Sequence, residues 1–279
     1  MRAIIMLCTL FLASASTADT IYRKVDANGR VTFSDKTSGS TGEAPVELES
    51  ATSRASRNPY DAVFNPVFET SSRELSAGKA FVATVPGCPA PMLLTAYHLL
   101  GPSGGLNFQL TAAQIKAEVR KIRLYTLKSG TLAGEGRADS HMPTIVSSCC
   151  DATNPRTSAG DIAAFTAPAK VANLALPLAI LDARKGDKVF ILTSLSGRTD
   201  TTFSHEAIVS GMQDGYLMYD ITNPDYAIRA TSGAPVINSK GQVVAINLGG
   251  GPQQGGKRGY YGMGNPVSAW KTPLSNTCK

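Results

Sequence analysis

A serine hydroxyl is a poor nucleophile near neutral pH and becomes useful only when a neighbouring base takes its proton during attack. Histidine is the side chain whose unperturbed pKa suits that work. The 279-residue chain holds three histidines, so the search for such a base is short. His98 ends the apolar run Leu93-Leu94-Thr95-Ala96-Tyr97, where ordinary turn residues are expected. His141 sits in a polar stretch before Met142-Pro143 and His205 stands beside Glu206, and neither has the apolar approach that a buried base needs. Two other segments carry complementary chemistry. Asp161 directly precedes the buried-looking run Ile162-Ala163-Ala164-Phe165, whereas Asp151, Asp182 and Asp187 precede nothing similar. Ser232 lies in Thr231-Ser232-Gly233-Ala234-Pro235, shortly before Val243-Val244-Ala245-Ile246. Taken together, His98 would remove the Ser232 proton and return it to a leaving amine, while Asp161 would hold the imidazole tautomer and stabilise its charged form. Each residue alone also reads as an ordinary strand end, turn cap or turn serine, and it is their joint occurrence that favours the chemical reading.

The elements that must position this trio are short. Residues 80–85, 92–96, 119–127, 188–192, 216–219 and 243–246 are apolar runs of strand length with β-branched or aromatic content. Gly, Pro, Asn and Ser clusters between them supply turns. Many short strands with long connections predict an all-β sandwich or a pair of barrels, and only residues 111–121 read as helix. With 43% apolar and 17% charged residues, the composition supports a sizeable core and excludes a disordered chain.

The first part of the chain reads differently. Arg2, the apolar stretch 3–13 and the small residues 13–18 predict a cleaved secretory signal over residues 1–18. No later run approaches the ~20 apolar residues of a membrane span, so no membrane anchor is expected after cleavage and the mature protein is expected in the periplasm or outside the cell. Removing residues 1–18 takes away Arg2 alone among charged residues and lowers the net charge from +6 to +5. The basic residues are scattered, with Arg120-Lys121-Ile122-Arg123 the densest group, so no nucleic-acid partner is expected. Residues 19–36 hold two strand-like runs around Asn28-Gly29, a strong hairpin signal. Ile21, Tyr22, Val25, Asp26, Gly29, Phe33, Ser34 and Asp35 resemble the small domain of unknown function that follows the signal peptide in many Gram-negative secreted proteins. Residues 37–76, rich in Ser, Thr, Glu, Arg and Pro, read as linker with a short ordered piece around residues 60–68. Cys88, Cys149, Cys150 and Cys278 remain after the signal. In an oxidising compartment either Cys149 and Cys150 pair with Cys88 and Cys278, or one disulfide forms beside two free thiols. Spacing for a zinc site is lacking, and no metal is expected.

Thr95-Ala96-Tyr97-His98, Asp161-Ile162-Ala163 and Ser232-Gly233-Ala234-Pro235, in that order, resemble the three motifs of the chymotrypsin-like (trypsin-like) serine proteases. The resemblance covers about residues 77–279 and implies two six-stranded antiparallel β-barrels following the small N-terminal hairpin domain. It implies His98, Asp161 and Ser232 as catalytic residues, an oxyanion hole from the backbone N–H groups of Ala230 and Ser232, and a substrate pocket near Asp225, Tyr226, Leu248, Gly249 and Gly250. No cofactor is implied, and the partner is a peptide or protein substrate. Two positions depart from the pattern. Ala230 stands where the family usually has glycine, and Thr231 stands where members activated by a new N-terminus have aspartate. The expected function is therefore a secreted serine endopeptidase. The alternative is a catalytically impaired homologue acting as a binding or scaffolding module. An acyl hydrolase of the α/β type would need a Gly-x-Ser-x-Gly elbow, which Ser232 lacks.

Overall fold

The computed structural model describes residues 58–141, 160–195, 202–253, 255 and 257–279, together with the backbone of two short strands, β1 (Tyr22–Val25) and β2 (Val31–Ser34). These two strands pair antiparallel with Tyr22 opposite Ser34 and Val25 opposite Val31, as the hairpin signal predicts. The Asn28-Gly29 turn, the signal segment and Cys149 and Cys150 lie outside the described residues. Two compact units divide the chain at Arg57.

Residues 58–76, assigned by composition to the linker, supply structure to the second unit. A 3-10 turn at Pro59–Ala62 leads into β3 (Val63–Glu69), which pairs with β4 (Glu74–Leu75) and with two strands described next. The remaining strands of this first sheet are β5 (Ala80–Thr84), β6 (Met92–Thr95), β7 (Lys121–Thr126), β8 (Leu132–Arg137), β9 (Ala163–Thr166) and β10 (Leu176–Pro177). The main path runs β8-β7-β3-β5-β6-β9. β5 and β6 are buried almost throughout, which matches their unbroken apolar sequence, while β7 alternates. This sheet is a half-barrel, consistent with the expected pair of barrels. The sheet is open between β8 and β9, and its ends meet only where residues 139–141 run past β9, with His141 N–H donating to Ala164 O and Thr166 N–H to Asp139 O, both at 2.9 Å. Helix α1 (Ala112–Glu118) lies inside the segment predicted helical and begins with a reciprocal cap between Thr111 and Gln114. A single helical turn, α2 (Ala169–Ala172), follows β9.

The second sheet closes completely. Strands β11 (Lys188–Leu192), β12 (Ser204–Gln213), β13 (Tyr216–Ile221), β14 (Pro235–Asn238), β15 (Val243–Pro252) and β16 (Tyr260–Pro266) form a barrel in the order β11-β12-β13-β16-β15-β14. Its interior is filled by Val189, Ile191, Val209, Leu217, Val236 and Val244 among others. The C-terminal helix α3 (Val267–Asn276) buries Trp270 and Leu274 in the core of the first sheet. A disulfide joins Cys88, in the turn between β5 and β6, to Cys278 just beyond α3. Cys88 and Cys278 therefore pair with each other, and not with Cys149 and Cys150. Closing a loop of 190 residues is worth on the order of 5 kcal/mol in the chain-entropy account.

Candidate active site

Strand register brings the first two residues together. β6 and β9 are antiparallel with Thr95 opposite Ala163, so a residue three past Thr95 and a residue two before Ala163 emerge at the same end of the pair. Those residues are His98 and Asp161. The chain turns sharply after β6 through a buried 3-10 turn at Tyr97–Leu100, held by Tyr97 Oη donating to Leu110 O at 2.5 Å and by Gln109 Nε2 donating to Tyr97 O and Leu100 O at 3.1 and 3.2 Å. Asp161 is fully buried and His98 is 5% exposed. The His98 backbone N–H donates to Asp161 Oδ1 at 3.0 Å, and His98 Nδ1 lies 2.8 Å from Oδ2 and 3.1 Å from Oδ1. A buried ionised carboxylate only accepts, so Nδ1 carries the ring hydrogen and Nε2 presents its lone pair. From the second sheet, Asn265 Nδ2 donates to Asp161 O at 3.3 Å.

The Ser232 turn is held from behind and from the side. Thr231 is fully buried, and its Oγ1 donates to Ile228 O at 2.7 Å. Asn247, also fully buried, donates through Nδ2 to Thr231 O and Oγ1 at 3.0 and 2.9 Å, and accepts at Oδ1 from Tyr219 Oη at 2.5 Å. Burial pushes the Tyr219 phenol well above its ordinary pKa, which keeps it a neutral donor. On the other side, Gly233 N–H donates to Asn247 O and Lys79 N–H donates to Ser232 O, both at 2.7 Å. Gly233 has φ +84°, and a Cβ there would meet Lys79 O at 2.0 Å, so only glycine fits beside the serine.

Ala230 is the strained member. Two non-glycine residues have positive φ among the described residues, Asp214 and Ala230. Aspartate visits that region readily in turns, whereas an alanine at φ +57° costs about 1–2 kcal/mol. The Ala230 and Ser232 amides donate to no acceptor among the described residues, which leaves two backbone N–H groups of one turn available to an anion. The Ser232 hydroxyl donates to Leu248 O at 3.0 Å, and no hydrogen bond joins it to His98.

The residues expected around a pocket have separate fates. Asp225 is exposed and pairs with Arg258 at 2.5 Å, while Asn223 Oδ1 accepts from its backbone N–H in a local turn. Tyr226 packs edge-on against His205, with ring centroids 5.2 Å apart, and His205 Nε2 donates to Thr193 O at 3.0 Å. Leu248 is buried. Gly249 has φ +137°, and a Cβ on Gly250 would strike Tyr261 O and Ile228 Cδ1. His141 lies away from the trio, with Nε2 3.1 Å from Thr166 Oγ1. Asn247, Tyr219 and Lys79 were not singled out by sequence reasoning as holding the turn. An asparagine interrupting Val-Val-Ala-Ile and a lysine opening an apolar strand are the signals that could have found two of them.

A family described as a domain of unknown function, DUF4124, matches residues 8–62, a stretch that contains the hairpin. No curated protein matches the sequence. Among solved structures, the serine endoprotease from Yersinia pestis superposes with a TM-score of 0.50 at 16% identity, over 83% of this chain and 68% of that one. A Glu endopeptidase superposes with a TM-score of 0.50 at 12% identity, over 79% of this chain and 91% of that one. The fold is that of the chymotrypsin-like serine proteases. No helix among the described residues is long and apolar enough to cross a membrane.

Proposed function

We propose that the protein is a secreted serine endopeptidase in which Ser232 is the nucleophile, His98 the general base and acid, and Asp161 the group that orients and charges His98. The observation that carries this reading is the doubly clamped His98–Asp161 pair, whose Nδ1 contact of 2.8 Å is buried beside a turn offering two uncommitted amides. In the first step His98 Nε2 takes the Ser232 proton as Oγ bonds to the scissile carbonyl carbon, and the Ala230 and Ser232 amides receive the oxyanion. The tetrahedral species collapses as the proton passes from His98 to the leaving nitrogen, leaving an acyl-Ser232 ester. Water, deprotonated by His98, then releases the acid and restores Ser232.

Attack requires the Ser232 hydroxyl to leave Leu248 O, which lies 3.0 Å away. A substrate N–H that takes Leu248 O as its acceptor competes for the same lone pairs and frees the hydroxyl towards His98. Leu248, Gly249, Gly250 and Tyr226 would then border the side chain of the acylating residue. Asp225, neutralised by Arg258, would offer little to a basic one. The signal over residues 1–18, the small domain over 19–36 and a periplasmic or extracellular location belong to the same reading, and the Cys88–Cys278 disulfide supports an oxidising compartment.

A second reading, an impaired homologue that binds without cleaving, draws on the same hydroxyl orientation and on the strain at Ala230. A fluorophosphonate probe separates the two. Stoichiometric labelling of the folded, oxidised protein that disappears in Ser232→Ala is the expected result, and absence of labelling would leave the binding module.

A further inference from the structure

Lys79 has no part in the steps above, yet it is only 7% exposed, a rare condition for a lysine. Its backbone is built into the nucleophile turn, with the N–H on Ser232 O at 2.7 Å and the carbonyl accepting from Thr95 Oγ1 at 2.6 Å. Its Nζ lies 3.4 Å from Ala230 O, a long hydrogen bond. Among the described residues no carboxylate pairs with this amine. The elements packed around it carry Tyr97 and His98 on the turn after β6, Asp161 against His98, and Arg229 just upstream of Ala230. Burial alone lowers its pKa to about 8.

A charge hidden without a counter-ion is expensive, so the position of Lys79 calls for a compensating use. The group it reaches is the carbonyl of the one alanine held in the left-handed region. That carbonyl and the Thr231 N–H form a single peptide, whose orientation sets ψ of Ala230 and φ of Thr231 and with them the angle between the Ala230 and Ser232 amides on either side. We propose that Lys79 is a positioning residue whose protonated amine holds the Ala230–Thr231 peptide in the orientation that presents the Ala230 and Ser232 amides to a substrate oxyanion. The inference rests on the reading of Ser232 as nucleophile and adds control of the turn by pH. Deprotonation removes the charge that strengthens the hydrogen bond, so reactivity falls on the alkaline side. Stability moves the opposite way. The folded pKa lies below the unfolded one, so the charged form is penalised by folding at neutral pH, and the penalty fades as pH rises from about 8 towards the unfolded value. Replacing Lys79 by an apolar residue should therefore make the protein more stable and less reactive, a combination that a merely structural lysine would not give.

The test follows the non-exchanging carbon resonances of Ala230, Thr231 and Ser232 in 13C-labelled full-length protein from about pH 6 to about pH 10. Alongside it, the rate of Ser232 labelling by a fluorophosphonate is measured in wild type, Lys79→Met and Lys79→Arg. In wild type the three residues should share a midpoint near pH 8, and the labelling rate should fall through the same midpoint. Lys79→Met should lose that titration, melt at higher temperature at neutral pH, and label about tenfold more slowly without an alkaline limb. Lys79→Arg should keep most of the neutral rate and carry the limb to higher pH. Carbon shifts that stay flat through pH 8, or a Lys79→Met profile equal to wild type, would overturn the inference while leaving labelling, and so the peptidase reading, intact. Shifts that titrate with Lys79 in a protein that never labels would instead sustain the link to the turn and remove the peptidase reading.

Discussion

The two halves of the candidate site are built on different terms. The His98–Asp161 half belongs to the first sheet, is buried, and is fixed by three short polar contacts that need no substrate to form. The Ser232 half belongs to the second barrel. It is partly exposed, includes an alanine at φ +57°, and has its hydroxyl directed at Leu248 O. In the proposed reading the base is set in advance, and the nucleophile and its oxyanion donors are held in a turn that costs free energy to maintain. The cost would then sit where charge is to be received.

That contrast can be broken at several points. The largest effect is expected from Asp161→Asn, which leaves an amide where the ring N–H needs a charged acceptor. The fluorophosphonate labelling rate should drop about 10³–10⁴-fold with the fold retained by circular dichroism, and a smaller drop would mean that the first half is not preset by its carboxylate. Next is the cost of Lys79. Urea denaturation of wild type and Lys79→Met should show the variant more stable by on the order of 3 kcal/mol near neutral pH, with the gap closing as pH rises above about 8. Asn247→Ala should follow. It strands Thr231 O and the Tyr219 hydroxyl, and should lower stability by about 2 kcal/mol and slow labelling. Ala230→Gly should have the smallest effect, raising the urea midpoint by the equivalent of about 0.5–1 kcal/mol without slowing labelling. A destabilised Ala230→Gly would show that the turn is not strained at this residue.

The same contrast marks what could be read from sequence. The trio and the six apolar runs were legible because strand length and motif order are local properties. All six runs lie at strands of the structure, and β6 and β9 carry His98 and Asp161 to one end of a pair as the motifs require. β3 was hidden because Val63–Glu69 contains Asn65 and Pro66, which break the apolar pattern, and because it follows a polar stretch. β12 and β16 were missed for a related reason, since exposed polar residues in one and glycines in the other dilute the signal. The support of the Ser232 turn was beyond reach for a different reason. Tyr219, Asn247 and Thr231 meet only after β13, β15 and the turn are brought together around the barrel, so Asn247 and Thr231 stand out singly in the sequence while their contact does not. The disulfide partner of Cys88 depended in the same way on where α3 ends.

The Cys88–Cys278 bond also changes what damage means for this chain. It converts most of the second unit, from the turn after β5 onward, into a covalent ring, because 190 positions separate the two cysteines. A single backbone cut anywhere inside that ring yields no separable fragment. The nicked molecule stays one covalent body until a reductant opens the bond.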